Sequence, residues 1–89
     1  MDELKGLIVR SISGHDKGQL MVVVGVDDLG RLLLANGKTR KLEAPKKKRK
    51  KHVVRCGSTE RLTAEGMLTN RRLRRALKQI EFFLETEKG

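Results

Sequence analysis

The sequence predicts a mostly β domain with one C-terminal α-helix, a small five-stranded barrel followed by an amphipathic helix. Three observations predict it. Short, branched-rich runs separated by turn residues fill the first half, one of these runs is apolar at every position, and an apolar stripe at helical spacing begins only at Leu73. With 89 residues the chain is one domain at most, and such a chain buries only about 60–65% of its unfolded surface, which argues against a large catalytic cleft. Its 25 Leu, Ile, Val and Phe are still more than a disordered chain of this charge carries.

Strands are expected over Gly6–Ile12, Gln19–Val26, Arg31–Ala35, Lys38–Leu42 and Lys51–Cys56. Asn36-Gly37 reads as a type I′ hairpin turn, because these residue types best tolerate positive φ, and Asp27-Asp28-Leu29-Gly30 as a longer turn. Leu20 to Val24 is apolar throughout, so both faces of that strand need cover: the barrel interior supplies one and the helix the other. On the helix, Leu73, Ala76, Leu77, Ile80, Phe83 and Leu84 share one stripe, with Arg71, Arg74, Arg75 and Lys78 opposite and Thr69 or Asn70 as N-cap. Residues 1–57 then form the barrel, including a basic loop at 45–51. Residues 58–89 form a connector, with a short turn around Thr63 to Gly66, and the helix packed on the barrel.

The chain carries 21 Lys and Arg against 11 Asp and Glu, a net charge of +10, which implies an anionic partner such as nucleic acid or a lipid surface. The excess sits between residues 45 and 78, where there are thirteen bases and two acids. With no Trp, no Tyr and two Phe, the composition disfavours single-strand binding, which usually stacks bases on several aromatic rings, and aromatic cages for ammonium groups. Acids in Met1 to Gly6 stand where a signal peptide carries bases, and the apolar stretch Leu20 to Val24 is far short of the ~20 residues that span a bilayer. A single cysteine, Cys56, forms no internal disulfide and suits a reducing cytosol. The expectation is a cytoplasmic protein with no membrane partner.

Gly6-Leu7-Ile8-Val9-Arg10-Ser11, followed by Gly14-His15-Asp16-Lys17-Gly18-Gln19-Leu20-Met21-Val22-Val23-Val24, resembles the KOW motif: a strand, a Gly-x-x-Lys-Gly loop and a second strand. With the tract Gly37 to Leu42, the polybasic segment and the helical tail, the chain looks like the small bacterial KOW-domain RNA-binding proteins related to the fourteen-e type of large-subunit ribosomal protein. It departs from the pattern in having no further glycine between Gly18 and Val24. The resemblance implies an SH3-like barrel, RNA or ribosome binding, and a Gly18 placed where a side chain would clash.

The expected RNA contacts are His15 and Lys17 in the KOW loop; Lys38, Arg40 and Lys41; Lys46, Lys47, Lys48, Arg49, Lys50 and Lys51 as a flexible loop probing a phosphate groove; and Arg71, Arg72, Arg74, Arg75 and Lys78 on the helix. The helix charges run against its dipole, with arginines at the start and Glu81, Glu85 and Glu87 toward the end, so an external polyanion turns them into a gain. Phe82 lies on the basic side, where contact with a base, a partner protein or the connector reads equally well. No catalytic residues are expected: His15 and Asp16 lack a nucleophile, and two histidines in ordinary settings do not make a ribonuclease. His52 and Cys56 are too few for a structural zinc, so neither metal nor cofactor is expected, and Cys56 is expected to pack. Pro45 to Lys51 also matches a nuclear localisation signal, but the KOW resemblance explains the run without a nucleus.

Two readings remain. The first is a non-enzymatic binder of structured RNA, ribosomal RNA or the large subunit, neighbouring ribosomal proteins and monomeric off the RNA. The second is a protein-interaction module docking an acidic surface of the translation or transcription machinery.

Overall fold

The computed structural model describes residues 4–58 and 69–88. Five strands, β1 (Leu7–Ser11), β2 (Leu20–Val26), β3 (Leu32–Ala35), β4 (Lys46–Lys48) and β5 (Val53–Ser58), form one antiparallel sheet in the order β4-β3-β2-β1-β5. Helix α1 (Asn70–Lys88) follows. The turn expected around Thr63 to Gly66 falls outside the described residues.

The all-apolar β2 is covered on both sides, as its composition requires. Leu20 and Val22 pack with Ile8 and Ala35 against Leu73 and Leu77 of α1. Met21 and Val23 point the other way, into a cluster with Val9, Leu32 and Leu34 that Leu4, Leu7, Val26 and Val53 close. Cys56 is half-buried against the helix-side cluster.

The sheet is strongly curled. Strands β4 and β5 are its two outer members, which a flat sheet would hold about 19 Å apart at ~4.8 Å per strand. They are joined only by residues 49–52, three of which, Lys50–His52, form a 3-10 turn. Register shifts between Ile8 and Val9 and between Val23 and Gly25 mark bulges that increase strand twist. Lys48, which pairs with Leu32 in the ladder, also reaches Ser11 of β1 across the concave face, at 2.6 Å.

Two expectations about the middle of the chain are corrected. Lys38–Leu42 is not a strand; the fourth strand is Lys46–Lys48, inside the segment expected to be a flexible loop. Asn36-Gly37 is not a type I′ turn either, since among the described residues only glycines have positive φ. Instead the Asn36 side chain organises the turn: its Oδ1 accepts from the amides of Lys38 and Arg40, both at 2.9 Å, and the Asn36 amide donates to the Arg40 carbonyl. A side chain that satisfies two nearby amides in this way competes with ladder pairing. The Asp27–Gly30 turn forms as expected, with the Gly30 amide donating to the Asp27 carbonyl.

Candidate nucleic-acid interface

The site begins where the Asn36–Arg40 turn meets the start of α1. Thr69 is the N-cap, its Oγ1 accepting from the Arg72 amide at 3.1 Å. Asn70 faces the loop instead: its Oδ1 accepts from the Leu42 amide at 2.8 Å and its Nδ2 donates to Glu43 at 2.7 Å. Gly37, at φ +77°, passes so close to this junction that a Cβ would overlap the Asn70 carbonyl oxygen. Only glycine allows both the backbone conformation and the approach.

A second fastening lies further along the helix. Arg10 of β1 donates to both Glu81 oxygens at 3.2 Å and to the Gly18 carbonyl at 2.7 Å. Glu81 thus has a partner within the fold rather than serving only as a misplaced charge near the helix end. This clamp was not visible in the sequence, where the two residues stand 71 positions apart.

Between these fastenings runs an open groove lined by Asn36, Lys38, Arg74, Arg75 and Lys78. On one side it meets a depression formed by Gly18, Gln19, Leu20, Asn36, Lys38, Thr39 and Glu81. On the other it continues along α1 past Arg75, Lys78 and Gln79 to Phe82 and Phe83. The groove therefore joins the turn cation Lys38 to three helix cations and borders the end of the Gly14–Gly18 loop.

The expected site residues divide accordingly. Lys38, Arg74, Arg75 and Lys78 converge; Arg71 and Arg72 are exposed on the helix outside the lining; Lys41 is exposed and Arg40 half-buried. His15 and Lys17 are exposed in the loop, of which Gly18 and Gln19 border the groove. Gly18 has φ +89° and open space where a Cβ would stand, so the expected clash is corrected to a purely conformational demand for glycine. At the start of α1, the Thr69 cap already occupies the Arg72 amide, which weakens the expected role of free helix amides.

Lys48 is a second correction. Only 8% exposed, it is enclosed with Asp16, 4% exposed, and its ammonium donates to Asp16 Oδ1 and Ser11 Oγ at 2.6 Å and to the Ser13 carbonyl at 2.7 Å. Lys48 therefore pins the Gly14–Gly18 loop to the sheet and is not placed to meet a phosphate. Burial alone pushes the Asp16 carboxyl up, but the Lys48 and Ser11 hydrogen bonds outweigh it and hold the group below its usual range. Arg49 and Lys50 line a separate depression with Leu29, Gly30 and Arg31, so they do not extend the helix groove.

Phe83 is a third correction. It is 65% exposed rather than part of the apolar stripe, because at ~100° per residue it stands about 80–90° from the centre of the Leu73, Leu77, Ile80 and Leu84 line. Among the described residues no helix is long and apolar enough to cross a membrane. No protein-family model matches the chain, and no curated relative is found by sequence similarity.

Proposed function

We propose that this chain is an SH3-like barrel of the KOW type that binds structured RNA, ribosomal RNA or the large ribosomal subunit, in the cytoplasm and without catalysing a reaction. The observation that carries the reading is the convergence of Lys38, Arg74, Arg75 and Lys78 on one open groove that borders the KOW-like loop. The barrel reading is supported by the curl of the sheet, the short β4–β5 link and the Lys48 contact across the concave face. An open groove with four cations suits a phosphodiester backbone, whose contacts position a protein and release counterions.

The test is a salt titration of RNA affinity beside thermal melts. Arg74→Gln, Arg75→Gln and Lys78→Gln together are expected to move the melting midpoint by no more than about 5 °C, since all three side chains are exposed. The same variant is expected to bind ribosomal RNA at least tenfold more weakly, with a log-log salt slope shallower by about two to three. Unchanged affinity and slope would overturn the reading. Co-purification of ribosomal particles that survives complete RNase digestion would favour docking on an acidic protein surface.

A further inference from the structure

Two aromatic rings stand at the end of the basic groove. Phe82 and Phe83 are 64% and 65% exposed, with centroids 6.5 Å apart and planes at 70°. They line a depression with Arg75, Lys78 and Gln79, and Arg75 and Lys78 also line the groove with Lys38 and Arg74. The rings therefore continue the cationic track rather than forming a separate apolar face.

Resting on the RNA reading above, we infer that Phe82 and Phe83 form a stacking platform for a single unpaired base, presented by a bulge or loop of the RNA whose backbone follows the groove. Lys78 and Phe82 are one helical turn apart, about 6 Å along the axis, which matches the reach from phosphate to base within one nucleotide. With the planes at 70°, a base lying flat on one ring meets the other at an angle, so the platform takes one base and not a run. This agrees with an aromatic content too low for extended single-strand binding. A protein partner fits less well: two partly exposed rings flanked by cations supply well under the ~800 Å² per side of a stable protein interface.

The experiment uses the full chain and two RNA hairpins with the same stem, one fully paired and one carrying a single bulged 2-aminopurine. The wild type is expected to bind the bulged stem about tenfold more tightly, with its fluorescence quenched on binding. Phe82→Ala combined with Phe83→Ala is expected to bind both stems equally, at the wild-type affinity for the paired one. Equal wild-type affinity for the two stems, or an unquenched fluorophore, would overturn this inference and leave general RNA binding standing. Binding to neither stem at physiological salt would overturn both. The quenching measurement needs no variant, so it decides the question even if the double variant folds poorly.

Discussion

The two densest clusters of positive charge, Lys46 to Lys51 and Arg71 to Lys78, look interchangeable as sequence but occupy different physical situations. The first is built into the sheet: Lys46 is half-buried, Lys47 exposed and Lys48 buried, the two-residue alternation of a strand. Lysine on an outer strand also discourages pairing with other chains. The second cluster stands on the solvent side of a helix whose opposite face is fixed by Leu73 and Leu77, so Arg74, Arg75 and Lys78 open onto a shared groove. The backbone period, more than the local density of cations, decides which charges can meet a partner.

The sharpest way to break this contrast is within the first cluster. Lys48→Gln leaves the Asp16 carboxylate buried without its cation and is expected to cost about 3 kcal/mol or more, enough to unfold much of a small domain. Lys47→Gln, one residue away and exposed, is expected to stay within about 0.5 kcal/mol. Urea melts of the two variants check this, and equal midpoints would mean that the lysine run is uniformly solvated after all.

The second cluster depends on where its helix sits. Gly37→Ala places a methyl group against the Asn70 carbonyl in a left-handed backbone, with an expected cost of about 2 kcal/mol. Because the overlap is at the helix junction, RNA affinity is expected to fall even at temperatures where the sheet remains folded. A variant with wild-type melting and wild-type affinity would show that the loop and helix do not need this approach.

Acid provides the smallest and most selective comparison. The folded Asp16 carboxyl lies below its usual value, so its stabilising contribution is complete above about pH 4, the unfolded value, and is lost as pH falls through the lower folded one. The thermal midpoint is expected to fall below about pH 4 more steeply in wild type than in Asp16→Asn, although the variant starts lower. Parallel curves would remove Lys48 and Asp16 as the link between the polybasic strand and the Gly14–Gly18 loop.

Much of the fold was legible because apolar pattern determines it. The continuous run in β2 demanded cover on both faces, and the stripe from Leu73 to Leu84 identified the helix that supplies one of them. β4 was illegible for a physical reason: alternating burial leaves no trace when every position is lysine. Lys38 to Leu42 carried the opposite ambiguity, a strand-like composition captured by the Asn36 side chain. The exposed side of the helix, with Arg71, Arg74, Arg75 and Lys78, was legible from their spacing. The meeting of Arg74, Arg75 and Lys78 with Lys38, and the loss of Lys48 to a buried pair, depend on contacts between distant segments that no local pattern encodes.

The position of β1 also governs when the molecule can assemble during synthesis. β1 is made before the other four strands and the helix, yet it lies between β2 and β5 in the ladder, its Ile8 packs in the cluster closed by Leu73 and Leu77, and its Arg10 holds Glu81. A ribosome that has made only the first 44 residues of this sequence has made β1, β2 and β3 without β4, β5 or the helical cover. Completion waits until the residues through α1 have emerged. Contacts this distant in sequence place folding in the slower, millisecond-to-second regime, so a nascent chain paused before Leu73 would leave the apolar face of β2 open to aggregation.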